Sequence, residues 1–350
     1  MDRPPQGRDG RFRNPQPLWN DYLAAVASIL RRDANSTPRA PLPVVHPTRE
    51  DLAADSRTGL RATWLGHSTL YLEIDGVRVL TDPVWGRRAS PVGWAGPKRF
   101  FAPVIALEEL PVPQVVAISH DHYDHLDEGT LRRLKGWDTR FVVPLGVGAR
   151  LVRWGVPADR ITELDWWESV CVGEMEVVLT PARHASGRGL RDKDRILWGG
   201  FAFLGPRHRV YFSGDTGMFP GLADIGTRLG PFDLAMIEAG AYHPAWPDWH
   251  LGPEQAVAAH RMVRGRVLLP IHWGLFNLAA HGWTEPVERV LAAAEPAGAI
   301  VALPRPGEGF EPTAPPSRRW WPDLPWKTAA EVPVRATLNG RPAVLQEDTP

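Results

Sequence analysis

Residues 115 to 129, VVAISHDHYDHLDEG, join a continuous apolar run to a stretch that holds three of the chain's twelve histidines. The run VVAIS reads as a buried strand. In the turn that leaves it, His120 and His122 can point to one side and share a metal ion. Asp124 and His125, at the start of a helix, then point toward a second position. The competing reading is a solvated loop that happens to be rich in histidine. It is disfavoured because so many polar groups beside a core strand, with no ligand to bind, would be costly to bury.

Three later apolar runs end the same way: VVLTPAR runs into His184, VYFSG into Asp215, and VLLPI into His272. Strand ends along one sheet rim are where side chains from distant segments can converge. His184 is therefore expected to complete a first site with His120 and His122, and His272 a second with Asp124 and His125. Asp215 is expected to bridge the two. Imidazole and carboxylate suit two Zn²⁺, and the absence of thiolates admits Fe or Mn. Two cations about 3.5 to 4 Å apart lower the pKa of bound water and neutralise charge on the attacked group, so Asp215 counts as catalytic as well as ligating.

Composition narrows the field. Lysine plus arginine and aspartate plus glutamate number 40 each in 350 residues, so no basic field points to nucleic acid. The 43% apolar content supports a sizeable core. A single cysteine, Cys171, excludes an intrachain disulfide and a cysteine-rich zinc module. No signal-like or membrane-spanning run is present, which reads as a cytoplasmic chain. Sixteen tryptophans leave peripheral contact with a membrane open.

Residues 1–59 read as an N-terminal extension. Within it, an amphipathic helix over 17–32 carries Leu18, Trp19, Tyr22, Leu23, Val26, Ile29 and Leu30, and a proline-rich linker covers 37–47. The helix either packs on the main domain or lies in a lipid interface. A compact domain is expected over 60–310. It opens with strands RATWL, STLYLEI and VRVLT, the last two joined by an Asp75-Gly76 turn, and continues with alternating strands and helices. Residues 311–350 form a tail rich in proline and tryptophan, expected to lie irregularly on the surface.

HDHYDH resembles the metal-binding signature of the metallo-β-lactamase superfamily. TWLGHST, LTDP, ISHDHYDHLD, ELDWWE, SGDTG, PEQAV and IHWGLF follow one another as in its N-acylphosphatidylethanolamine-hydrolysing phospholipase D group. The resemblance covers about residues 60 to 310. It implies an α/β fold, the four-layer αββα sandwich, with zinc held by His120, His122 and His184 and by Asp124, His125 and His272, and with Asp215 between them. It also implies that His250, in HLGPEQAV, acts near the metals as proton donor or water-positioning group, and that the protein is a homodimer. Ala185, Ser186 and His243 depart from the mammalian pattern near the mouth.

The expected activity is zinc-dependent, phospholipase D type hydrolysis of N-acylphosphatidylethanolamine-like phospholipids to phosphatidate and N-acylethanolamine. The alternative is a metal-dependent lactonase or other ester hydrolase. Trp246, Trp249, Leu275 and Phe276, near His250 and His272 in sequence, are expected to line the mouth, with His243 and His281 flanking it. His67 is expected close to the ligands but not among them, and His260 as a packing residue. Arg183 and Arg188 either bind a phosphate or an anionic lipid surface or are simply solvated.

Overall fold

The computed structural model describes residues 7, 9–30, 33–189 and 191–338, without the side chains of residues 29 and 30. Arg31 and Arg32 of the expected N-terminal helix, and the tail from 339 onward, lie outside the described residues. In chain order the elements are α1 (Tyr22–Leu30), α2 (Arg49–Ala53), β1 (Leu60–Gly66), β2 (Thr69–Ile74), β3 (Val77–Thr81), β4 (Val115–Ala117), α3 (Glu128–Leu134), β5 (Arg140–Pro144), α4 (Val147–Arg153) and β6 (Ile161–Leu164). There follow β7 (Ser169–Val172), β8 (Met175–Thr180), β9 (Gly200–Leu204), β10 (Arg209–Phe212), α5 (Gly221–Leu229), β11 (Phe232–Glu238), α6 (Pro253–Met262), β12 (Gly265–Ile271), α7 (Glu285–Ala297), β13 (Ile300–Val301) and β14 (Gly309–Phe310).

Two seven-stranded sheets form, ordered β14-β1-β2-β3-β4-β5-β6 and β13-β12-β11-β10-β9-β8-β7. Each is half antiparallel meander and half parallel. The β2–β3 hairpin turns on Asp75 and Gly76, both with positive φ (50° and 87°), the backbone that a two-residue turn between right-twisted strands requires.

Alternation along the first sheet assigns its side chains to two cores. Leu70, Leu72, Val79, Val115, Ala117 and Val142 join the core shared with the second sheet. Tyr71, Leu80, Val116, Phe141 and Val143 pack with Leu131, Leu134, Val147 and Leu151 of α3 and α4. On the other side, Leu222, Ile225, Ala256, Val257 and Val290 of α5, α6 and α7 cover the second sheet. The result is the four-layer αββα sandwich. Its pairing pattern makes β1, β3 and β4 run the same way in one sheet, and β8, β10, β11 and β12 in the other, so each set delivers its C-terminal ends to one rim.

The N-terminal helix differs from expectation in where it starts and in what covers it. Helix α1 begins only at Tyr22, where the Asp21 carboxylate accepts the Ala24 N–H at 3.0 Å. Three residues of its apolar stripe face solvent: Tyr22, Leu23 and Val26 are 72%, 86% and 60% exposed. From Glu311 to Thr337 no helix or strand forms, yet the segment is anchored. Trp320 stacks on Trp273 at 5.5 Å, and the buried Trp321 donates to Glu288 at 2.7 Å. Much of the tryptophan content therefore serves packing. Among the described residues no helix is long and apolar enough to cross a membrane.

Candidate metal centre

The loops leaving β4, β8, β10 and β12 meet at the rim. His120 Nε2 lies 2.9 Å from His122 Nδ1, which lies 3.2 Å from His184 Nε2. Asp215 Oδ2 is 3.8 and 3.7 Å from His120 and His184 Nε2, and 3.2 Å from both His125 and His272 Nε2. Asp124 Oδ2 sits 3.4 Å from each of the last two nitrogens. Two donor clusters thus share one carboxylate oxygen.

The separations of 3.2 to 3.8 Å about the Asp215 and Asp124 carboxylates suit a cation, while His122 stands at hydrogen-bond distance from His120 and His184. Tetrahedral bonds of about 2.1 Å set ligand-to-ligand edges of about 3.4 Å. His125 Nε2, His272 Nε2 and Asp215 Oδ1 are buried without a hydrogen-bond partner, a state that is costly unless something else binds them. His67 Nε2 also enters the second cluster, 3.0 Å from Asp124 Oδ2, so that cluster holds one imidazole more than the sequence reading counted.

Groups behind the clusters fix which ring nitrogen faces inward. Asp82 accepts from His125 Nδ1 at 2.6 Å and from the Ser119 N–H and hydroxyl, and Ser119 Oγ in turn contacts His120 Nδ1 at 2.9 Å. The Trp249 carbonyl holds His184 Nδ1 at 2.8 Å. Glu238, the last residue of β11, holds His250 Nδ1 at 2.7 Å and takes the Thr216 N–H at 2.5 Å. Its strand approaches the ligand loop closely, since a Cβ on Gly240 would lie 2.0 Å from the His272 carbonyl oxygen.

Burial presses His120 and His184 well below the usual imidazole range and lowers His250 to about 4. Burial acts on His125 and His272 in the same direction. The Asp215 and Asp124 carboxylates override it, raising His125 well above its ordinary value and His272 to about 10. Burial alone would raise Asp215, but those two imidazoles hold it well below the carboxylate range. Burial and the Asp215 charge raise Glu238 well above its usual value.

A cavity of about 400 Å³ opens on both clusters, lined by His122, Asp124, Asp215, His250 and His272 and by Asn20, Tyr22, Ala25, Ala241, Trp246, Trp249 and Leu278. Of the expected mouth residues, Trp246 and Trp249 line it and four others do not. Leu275 and Phe276 are 1% and 6% exposed and pack with Val84, because the loop turns inward and presents Leu278 instead. His243 stacks on Trp246 at 4.6 Å, and His281 stacks on Tyr242 at 4.5 Å beside a neighbouring small cavity.

Neither arginine lines the cavity, and neither is freely solvated. Arg183 is fully buried against Asp248 at 2.9 Å, and Arg188 donates to the Asp121 and Leu126 carbonyls with its guanidinium over Tyr123. Asp82, Ser119 and Glu238 were missed in the sequence as site residues. Glu238 carried a usable signal, because DLAMIE is also an apolar run ending in a carboxylate.

A family model described as beta-lactamase superfamily domain matches residues 77–273. An uncharacterized protein of Mycobacterium tuberculosis (strain H37Rv) is 48% identical over 331 residues, 91% of this chain and 88% of that one. N-acyl-phosphatidylethanolamine-hydrolyzing phospholipase D 1 of Caenorhabditis elegans is 42% identical over 249 residues, 68% of this chain and 69% of that one. Among solved structures, the metallo hydrolase Igni18 of Ignicoccus hospitalis aligns with a TM-score of 0.54 at 23% identity, covering 72% of this chain and 98% of that one, a likeness of fold.

Proposed function

The chain belongs to the metallo-β-lactamase superfamily and is a metal-dependent hydrolase; from that membership we propose a phosphodiesterase of phospholipase D type. Its substrates are N-acylphosphatidylethanolamine-like phospholipids, cleaved to phosphatidate and an N-acylethanolamine. His120, His122 and His184 would hold one cation and Asp124, His125 and His272 the other, with Asp215 placed between the two sets. Zinc suits this nitrogen and oxygen set, with iron or manganese as alternatives. Divalent cations bound there lower the pKa of water and neutralise charge developing on the attacked group.

The chain's own residues do the remaining work. Asp82, Ser119 and the Trp249 carbonyl orient the imidazoles. His250, its Nδ1 held by Glu238 and its imidazole kept neutral by burial, lines the cavity and offers Nε2 as an acceptor that positions the attacking water. Trp246, Trp249 and Leu278 exclude water from around an acyl chain. The observation that carries this reading is the largely apolar cavity opening directly on both donor clusters. Tyr22, Leu23 and Val26, exposed on the helix whose Tyr22 and Ala25 line the mouth, support contact with a lipid surface.

One observation favours a second reading. No arginine or lysine lines this cavity among the described residues, so a phosphate would rely on the cations alone, and a neutral carboxylic ester or lactone meets the same surroundings. The test is a panel of phosphodiesters and lactones presented to chelator-stripped protein before and after zinc is restored. Zinc-dependent release of phosphatidate supports the first reading; turnover confined to lactones supports the second.

A further inference from the structure

The segment before α1, residues 11 to 21, has neither helix nor strand, yet it is bonded along its length to two loops of the metal rim. Phe12 N–H donates to Asp194 O at 2.7 Å, Trp19 N–H to the Asp248 carboxylate at 2.9 Å, and Asp21 N–H to Ala245 O at 2.8 Å. Between them, the Asn14 carboxamide forms a double bridge to one residue: its Oδ1 accepts the His184 N–H at 2.8 Å, and its Nδ2 donates to the His184 carbonyl at 2.5 Å. Only a carboxamide side chain offers a donor and an acceptor spaced to match one residue's main-chain pair.

His184 is fully buried, and its remaining anchor, the Trp249 carbonyl, lies in the loop that Trp19 and Asp21 also grip. We propose that this N-terminal strap is part of the metal centre, with Asn14 as a positioning residue that sets the His184 main chain so that Nε2 points at the cation shared with His120 and His122. The proposal rests on the metal-centre reading above. Two of the three hydrogen bonds that orient this ligand come from a segment outside the sandwich. Removing them would leave a buried N–H and C=O unpaired and free His184 to turn away.

The test uses full-length protein loaded with Co²⁺, whose visible spectrum reports each site's geometry, and a chelator titration that reads the affinity of each cation. Asn14→Leu removes both bonds; Asn14→Asp keeps the acceptor and loses the donor. A lost second-layer contact typically weakens metal affinity about 10- to 100-fold. The expected result is that loss at one of two cations for Asn14→Leu, a smaller loss for Asn14→Asp, and an unchanged second cation. If Asn14→Leu does not fold, Asn14→Asp gives the answer alone. Folded variants that keep both cations within twofold of wild-type affinity would overturn the inference while leaving the metal-centre reading standing. A wild-type chain that binds no cation would overturn both.

Discussion

Replacing Arg183 by Met removes one half of a buried ion pair in which both side chains are 0% exposed. Arg183 Nη1 meets Asp248 Oδ1 at 2.9 Å, and the same guanidinium serves the carbonyls of Met218, Thr337 and Pro17. Asp248 also accepts the Trp19 N–H at 2.9 Å and the Thr337 N–H and hydroxyl at 2.6 Å each, so the pair ties both terminal segments to the loops carrying His184 and His250. Breaking a buried pair by removing one partner costs about 3 to 5 kcal/mol. Asp248 keeps three donors while three carbonyls lose theirs, which places the expected loss near the lower end, about 3 kcal/mol. With a urea slope on the order of 3 kcal/mol/M, the unfolding midpoint should fall by about 1 M. Adding Asp248→Leu strands its three other donors but removes a carboxylate that has already lost its cation, so it should cost less in the Arg183→Met background than in the wild-type chain. Urea denaturation of the zinc-loaded single and double variants measures both effects. A midpoint shift below about 0.3 M, or a double variant no more stable than the sum of the two single losses implies, would refute the reasoning.

Asp215→Asn removes the oxygen shared by the two clusters, so metal analysis should find zinc reduced at both positions and hydrolysis lowered by about 1,000-fold or more; two zinc ions with full activity would exclude the shared role. Glu238→Gln leaves every ligand in place but loosens His250, so turnover should fall about 10- to 100-fold with zinc content unchanged, and a wild-type rate would remove Glu238 from the mechanism. His260, buried in α6 against Gly265, is lowered from 6.5 to about 4 by burial alone. The unfolded chain therefore binds the extra proton first, and the stability this neutral imidazole confers is complete above pH 6.5 and is lost as pH falls toward about 4. At pH 5 the loss is about 2 kcal/mol. His260→Leu should lose that much less between pH 7.5 and 5 in urea melts, and an unchanged pH dependence would contradict the assignment.

The clustered histidines were legible because each follows an apolar strand, and a strand end has a definite place in a layered fold. Glu238 carried the same signal but lacked a histidine neighbour to draw notice. Asn14 carried none, since a polar residue in an irregular segment gains its role only from the distant His184 main chain. Arg183 misled because burial depends on Asp248, a partner far along the chain. The stripe of Tyr22, Leu23 and Val26 was real as periodicity, but periodicity states which residues share a face and not what covers it. Strands β13 and β14, two residues each, are too short to show alternation and exist only through pairing with β12 and β1.

Zinc-loaded protein given N-acylphosphatidylethanolamine in ¹⁸O-labelled water, with products followed by mass spectrometry, tests the proposed chemistry most directly. Attack at phosphorus should place the label in phosphatidate and leave the N-acylethanolamine unlabelled. Label in a released fatty acid, or no phosphatidate beside active lactone hydrolysis that labels a carboxylate, would contradict it.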